Sequence, residues 1–312
     1  MKVYTDLSSF TKEKNVVVTV GSFDGLHKGH IKIIGELLRV SREINDSSVL
    51  LTFEPHPRQV VSKDFDFKIL TTLSEKKAIL EKVGLDNLIV QNFTHEFSQM
   101  SSDEFIKKIL VDHIGVSHIV VGHDHRFGKD RLGDAEKLKE HGRKFNFGVT
   151  SVPAETINGE IISSTIIRKA LFDGDIEKAN LFFGRSYSFG GVVVKGTQRG
   201  RTLGFPTANI MLNDPRKAVP KKGVYAVTCI CRNEKLTGIM NIGIRPTFEN
   251  RTELVIEVHL FNFNKNIYGE KISVNFIKRL RDERKFESKE ELIHQIELDK
   301  QIATEMFSSA AS

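Results

Sequence analysis

Residues 21–30 read Gly-Ser-Phe-Asp-Gly-Leu-His-Lys-Gly-His, with two histidines three residues apart among three glycines. Glycines let backbone amides approach an anion closely, and histidines at i and i+3 of a first helical turn share a face and can both donate to one polyphosphate. His27 and His30 are therefore candidate phosphate ligands, framed by Gly21, Phe23, Asp24, Gly25 and Gly29. Either histidine alone reads more simply as a packed or surface residue. A dinucleotide fingerprint with Glu54 as ribose acceptor is the rival reading, but G-x-x-x-G-x-x-x-G is not G-x-G-x-x-G.

A second constellation is Gly196-Thr-Gln-Arg-Gly200-Arg-Thr-Leu-Gly204-Phe-Pro206-Thr207-Ala-Asn209. In an extended segment Thr207 and Asn209 point the same way, offering hydroxyl and amide oxygens suited to Mg²⁺ held together with substrate phosphates. A turn with two polar caps is the plainer alternative. Between Lys195 and Lys222 stand seven basic residues (Lys195, Arg199, Arg201, Arg216, Lys217, Lys221, Lys222) and one acid, Asp214. A solvated basic face would look the same, except that Gly196, Gly200 and Gly204 interleave with the charges as in loops that cradle phosphate. A third group, Ser163-Ser164-Thr165 ahead of Arg168, is by itself only a helix N-cap.

Elements must hold these residues in place. Residues 16–20 (VVVTV) form a β-branched run ending at Gly21, and Ile31, Ile34, Leu37 and Leu38 follow at helical spacing, giving strand, loop, helix. Val49 to Phe53 is a second strand closed by Glu-Pro-His-Pro. Helical patterns at 74–83, 101–113 and 134–141 alternate with strands at Asn87 to Val90 and His118 to Val121, predicting a parallel α/β sheet covered on both faces. The first loop then lies at the carboxyl end of a strand, where open sheets of this kind bind ligands. After about residue 184 the texture changes to short β-branched runs at 191–194, 224–230, 239–242, 254–263 and 272–277, an all-β module of small-barrel type. The tail, 288–307, is helical, with Leu292, Ile293, Ile296, Ile302 and Met306 as a packing stripe. The boundary falls near Phe183 to Ser186, giving domains of 1–184 and 185–312.

The sum of 312 residues, 39% apolar and 28% charged, fits a two-domain globular protein, not a disordered one. The two cysteines, Cys229 and Cys231, read as reduced packing residues that cannot close a zinc site. A start lacking a basic cap and apolar stretch, and no apolar run near the ~20 residues of a membrane span, point to a cytoplasmic protein without membrane association. A net charge of +6 could serve nucleic acid, but only Phe205 is aromatic within the basic stretch, which argues against RNA.

The first loop resembles the H-x-G-H signature of nucleotidyltransferases, and Ile162 to Arg168 is similar to that superfamily's second nucleotide motif. Gly204-Phe-Pro-Thr-Ala-Asn209 resembles the riboflavin kinase signature, as do Gly223-Val-Tyr225, Asn241 to Phe248, Glu257 to Leu260 and Arg279-Leu-Arg281. Together the halves resemble the bifunctional bacterial riboflavin kinase/FAD synthetase family from about Val16 to Ala303.

The resemblance implies an amino-terminal Rossmann-like FMN adenylyltransferase domain and a carboxy-terminal six-stranded riboflavin kinase barrel. Riboflavin, FMN, FAD and ATP are the implied substrates and products, with Mg²⁺ as cofactor. Glu257 would be the base for riboflavin's neutral hydroxyl, although a solvent-facing strand residue is the plainer reading. FMN attacks through an already ionised phosphate, so His27, His30 and Arg168 need only align and neutralise charge, assisted by Lys28, Ser164 and Thr165. Asp124, His125, Phe127 and Arg281 would contact flavin, and the turn Pro55-His56-Pro57 would line the first cleft.

Three positions depart from the family pattern: Ser22 replaces a common Asn, Ile166 an Arg, and His125 a Phe. An imidazole at 125 would titrate near neutrality and, when protonated, attract the FMN phosphate; a solvated loop residue is the alternative. A flavin or nucleotide sensor without turnover is the reading from another class, opposed by the intact set Thr207, Asn209, Glu257, His27 and His30. Oligomeric state leaves no mark in the chain.

Overall fold

A computed structural model describes residues 1–11, 16–62, 66–196, 200, 203–246 and 252–309. These fall into two compact units, Met1–Ser164 and Thr165–Ser312.

In the first unit, strands β1 (Lys2–Tyr4), β2 (Val16–Val20), β3 (Ser47–Glu54), β4 (Asn87–Asn92), β5 (Val116–Gly122) and β6 (Gly148–Val152) form one sheet in the order β1-β4-β3-β2-β5-β6. Every pairing is parallel. The central strand β2 is buried along its whole length, as its unbroken VVVTV run requires when both faces are covered. One face packs helices α1 (Lys28–Glu43) and α2 (Leu73–Val83) through Ile34, Leu37, Val40 and Leu80. The other packs the π-type helix Phe105–Ile114 and α3 (Ala135–Phe145) through Phe105, Leu110, Ile114 and Leu138.

The expected parallel sheet is therefore present, with β1 and β6 added at its edges. The predicted helix at 101–113 begins with a capping box, Ser101 to Glu104, and then widens to i→i+5 bonding before ending at Gly115 in a left-handed conformation. A short hairpin, β7 (Thr156–Ile157) with β8 (Glu160–Ile161), leads into the segment around Ser163.

The second unit begins with α4 (Ser164–Asp173) and α5 (Ile176–Phe183) and continues into a closed antiparallel barrel. Its strands are β9 (Ser188–Val194), β10 (Ala208–Leu212), β11 (Gly223–Cys231), β12 (Glu234–Pro246), β13 (Thr252–Leu260) and β14 (Lys271–Arg281), closed in the order β10-β13-β12-β11-β14-β9. The pattern of short runs shows all of them except β10, a five-residue strand whose polar start hides its extended backbone.

Inside the barrel Tyr225, Met240, Ile242, Ile256, Val258 and Phe276 make the core. Residues alternating with them face outward, and Val224 and Ala226 pack beneath α6 (Lys289–Ser309) against Ala303, Met306 and Phe307. The packing stripe of α6 is Ile296, Ala303, Met306 and Phe307, whereas Ile302, expected there, is 47% exposed.

The units divide about twenty residues earlier than the composition change near 184. The reason is local: α4 and α5 are amphipathic helices, α4 burying Ile167, Ala170 and Leu171 and α5 burying Ile176, Ala179, Phe182 and Phe183. Asn180 donates to the Phe276 carbonyl (2.9 Å) and accepts from the Tyr187 amide (2.6 Å), and Phe183 stacks on Tyr187 at 5.5 Å. Cys229 and Cys231 are free and buried, and burial pushes the Cys229 thiol up to about 12. Among the described residues no helix is long and apolar enough to cross a membrane.

Candidate functional sites

The histidine loop caps α1. The Nδ1 of His27 accepts the His30 amide (3.3 Å), and the two imidazoles stack with centroids 3.6 Å apart and planes 18° apart. The spacing thus puts both rings together, as expected, at a helix start at the carboxyl end of β2. His27 is buried, His30 half-buried with Phe23 against its edge at 5.2 Å. Gly29 permits the fold, because a Cβ there would sit 3.3 Å from the His27 ring.

Asp24 has a different task from the expected contact with nucleotide. It is 2% exposed, and its carboxylate accepts from the Leu70 amide (2.9 and 3.1 Å) and the Thr71 amide (3.0 Å), while the Gly25 amide donates to Thr71 Oγ1 (2.9 Å). It clamps the loop from beneath. Phe23 and Leu26 adopt positive φ (45° and 42°), and Gly25 supplies φ 95° between them. Gly21 lies 3.1 Å, by its absent Cβ, from the Phe23 ring.

Of the second motif, Ser164 Oγ donates to the Asp24 carbonyl (2.8 Å), tying this segment to the histidine loop. Ser163 precedes it, and Thr165 and Arg168 follow in α4, Arg168 one turn beyond Ser164. His56 caps a short helix, Pro57–Val61, and packs on Phe67 at 4.6 Å.

At the end of β5, Asp124 presents an exposed carboxylate, and Gly122 has its Oδ1 3.4 Å from where a Cβ would lie. His125 stacks on Phe127 at 5.6 Å, and burial, with Arg131 nearby, pushes its pKa down to about 4 despite Asp124. Burial thus works against the expected charge change near neutrality. Phe127 is a core residue, packed on Phe105 at 5.6 Å and exchanging backbone hydrogen bonds with Gly133. Its place is to anchor the loop from below.

The barrel gathers the kinase candidates. Asn209 on β10 pairs with Glu257 on β13, which pairs with Asn241 on β12. Paired residues share a face, so Glu257 stands between two side-chain amides on the outer face of the barrel. Two glycines wrap the predicted metal donors: a Cβ on Gly196 would fall 2.1 Å from Asn209 Nδ2, and one on Gly200 would fall 3.1 Å from Thr207 Oγ1. Gly204 takes φ 86° at the turn into Phe205. His259 Nδ1 bonds the Pro206 carbonyl (2.9 Å), with Phe205 against its ring at 5.5 Å, so the Phe205-Pro206-Thr207 segment is pinned to β13. Thr197, Gln198, Arg199, Arg201, Thr202, Thr247 and Phe248 lie outside the described residues.

Arg281 corrects the sequence reading. Its Nε and Nη2 grip both oxygens of Asp299 (2.8 to 3.0 Å), a carboxylate 2% exposed on α6, and Nη1 donates to the Asp282 carbonyl (3.0 Å). The guanidinium fastens helix to barrel and is occupied on both edges, so it is withdrawn from the flavin contacts.

Sequence reasoning missed Lys76, whose ammonium is buried beneath the histidine loop, and Asp299. Neither carries a local signal: Lys76 adjoins Lys77, and Asp299 lies in an otherwise solvated helix pattern.

Sequence comparison decides the family. The FAD synthetase family pattern matches residues 9–166 and the riboflavin kinase pattern residues 183–307. The chain belongs to the bifunctional riboflavin kinase/FMN adenylyltransferase family. A member so named from Buchnera aphidicola subsp. Schizaphis graminum is 40% identical over 98% of this chain and 99% of its own. Another from Bacillus subtilis is 40% identical over 94% and 93%. A crystal structure from Streptococcus pneumoniae, described as a macrolide-efflux protein, superposes with a TM-score of 0.89 at 31% identity, covering 97% and 98% of the two chains. The order of the two halves in the family is the order of the two sites described above.

Proposed function

We propose that the two activities of this family run at separate sites in this chain: FMN adenylylation at the Gly21–His30 loop, riboflavin phosphorylation around Glu257. The stacked His27–His30 pair at the start of α1 carries the first assignment and the Asn209–Glu257–Asn241 row the second.

In adenylyl transfer the FMN phosphate attacks the α-phosphorus of ATP and pyrophosphate leaves. No proton must be removed from the nucleophile, so the chain's work is alignment and charge neutralisation. His30 and the first-turn amides of α1 face the charge that develops, and Ser164, bonded to the Asp24 carbonyl, joins its segment to the loop. Gly21, Gly25 and Gly29 let the backbone close around the nucleotide, and Asp124 with His125 forms the flavin side.

In riboflavin phosphorylation the ribityl hydroxyl is a poor nucleophile, so Glu257 accepts its proton as the γ-phosphoryl group transfers. The donors at Thr207 and Asn209 fit Mg²⁺: neutral oxygens pressed against two glycines suit a hard cation that also takes phosphate oxygens, and among the described residues no cluster of His, Cys, Asp and Glu offers a closed cage. Mg²⁺ held by Thr207 and Asn209 would offset the charge of the ATP phosphates. Gly196 and Gly204 let the loop approach the nucleotide.

The functional division follows the sequence boundary near 184, with residues 1–184 for adenylylation and 185–312 for phosphorylation. Both reactions consume ATP, and the two free thiols support a cytoplasmic location. Assay of both half-reactions on Glu257→Gln and His30→Ala chains tests the assignment.

A further inference from the structure

Lys76 is 5% exposed, and ammonium groups are rarely buried so fully. Its Nζ donates to the Ser22 carbonyl (2.7 Å) and to Thr52 Oγ1 (2.9 Å), and that hydroxyl donates to the same carbonyl at 3.2 Å. Burial lowers its pKa to about 8, opposed by the charges of Asp24 and Glu54, so the group is protonated at neutral pH.

Burying a charge is costly, and an apolar side chain would fill the space between α2 and β3 without that penalty. The charge therefore has a local task. A trans peptide is planar, with its carbonyl and the next amide pointing in opposite directions. Fixing the Ser22 carbonyl against Lys76 thus fixes the Phe23 N–H to point away from Lys76. Phe23 is also where the backbone turns to positive φ, a conformation that persists only where surrounding groups hold it. Asp24 secures the next residue from the same side through Leu70 and Thr71. Two buried, opposite charges thus hold the head of the phosphate loop, Lys76 through the Ser22–Phe23 peptide and Asp24 by tying its own side chain to the Leu70 and Thr71 amides.

We propose that Lys76 is a positioning residue for adenylyl transfer, holding the Ser22–Phe23 peptide so that the Phe23 amide is presented to the phosphates of ATP. The proposal rests on the assignment of the Gly21–His30 loop to ATP. It says that the loop's backbone donors are set by α2 as well as by α1, and that flavin affinity is independent of Lys76.

The test uses the full chain carrying Lys76→Met, which keeps the length of the stem and removes charge and donors. The KM for ATP in FMN adenylylation rises about 30-fold, within the range that sub-ångström misplacement produces, while the KM for FMN and the rate of riboflavin phosphorylation stay within about twofold. Amide hydrogen exchange accelerates at least tenfold across Ser22–Leu26 and is unchanged at Ile34 and Leu37 of α1. An unchanged KM for ATP overturns the proposal, and so does acceleration throughout the sheet with both KM values moving together, since that is a general packing role. If Lys76→Met does not fold, Thr52→Val removes one of the two acceptors, and the KM for ATP rises about threefold; a parental value overturns the proposal equally. His30→Ala in parallel separates the two claims: if it leaves FAD formation intact, the loop assignment fails, whereas loss with His30→Ala and parental behaviour with Lys76→Met removes only the role of Lys76.

Discussion

Asn209 and Glu257 stand directly opposite each other in the β10–β13 ladder, so the strand that carries one proposed metal donor also flanks the proposed base. The proposed metal donor and base are thereby set by one pair of strands, and a slip of β10 by one residue would turn Asn209 into the barrel and away from Glu257. Gly196 packs closely against Asn209 and Gly200 against Thr207, where any larger residue would press on those side chains.

Gly196→Ala forces a Cβ to within 2.1 Å of the Asn209 amide, and Gly200→Ala one to within 2.4 Å of the Phe205 carbonyl. Both lower the rate of riboflavin phosphorylation by about 10-fold or more and raise the Mg²⁺ concentration needed for half-maximal rate, because displaced donors hold the ion less well. FAD formation from supplied FMN retains its parental Mg²⁺ dependence. A metal titration of each half-reaction measures this.

The Arg281–Asp299 pair predicts stability effects where the motif alone predicts binding effects. Asp299→Ala strands a guanidinium that is 21% exposed beneath α6 and destabilises the second unit by about 3 kcal/mol, the usual loss when one partner of a buried pair is removed. The KM for riboflavin, measured well below the melting temperature, stays within about twofold. Denaturant unfolding and steady-state kinetics on one preparation distinguish the two effects.

Helices α4 and α5 belong to the fold of the second unit whatever their role in catalysis. A fragment of residues 165–312 melts cooperatively and well above one of 185–312, which loses the burial of Ile176, Phe182 and Phe183 and both hydrogen bonds of Asn180. Calorimetry of the two fragments checks this; equal melting temperatures would count against it.

His125 is neutral in the folded chain above about pH 4, so the KM for FMN follows the same course from pH 6 to 8 in the parent and in His125→Phe. The sign of the stability effect follows from a folded pKa below the unfolded one near 6.5. Between those values the unfolded chain takes up a proton that the folded chain does not, so the contribution of His125 to stability is present above about 6.5 and is lost as pH falls toward 4. His125→Phe flattens the acid side of the unfolding profile of the first unit.

Much of this was legible in the sequence because period and punctuation agree with the fold. The β-branched run before Gly21 and the 3.6-residue spacing after His30 mark the first proposed site, and Thr207-Ala-Asn209 marks the second. What stayed hidden depends on residues brought together from far along the chain. Nothing around Asp24 marks its carboxylate as a ligand for amides 46 and 47 residues away. Nothing in Arg279-Leu-Arg281 reveals which arginine will meet Asp299, and the neutral state of His125 depends on how closely Phe127 folds back on it. The β10 strand, Ala-Asn-Ile-Met-Leu, escaped notice because it is short and carries a single β-branched residue.

The central claim is that one chain carries two independent phosphoryl-group chemistries, and the most direct measurement is the rate of each half-reaction in Glu257→Gln and His30→Ala. Glu257→Gln lowers riboflavin phosphorylation by about 10²-fold or more, the usual contribution of a positioned base, and leaves adenylylation of supplied FMN at the parental rate. His30→Ala lowers adenylylation by about 10²-fold, as expected on removing a donor to developing phosphate charge, and leaves phosphorylation unchanged. If either substitution lowers both rates together, or if the losses are exchanged between the two variants, the assignment of the two reactions to these two sites is wrong.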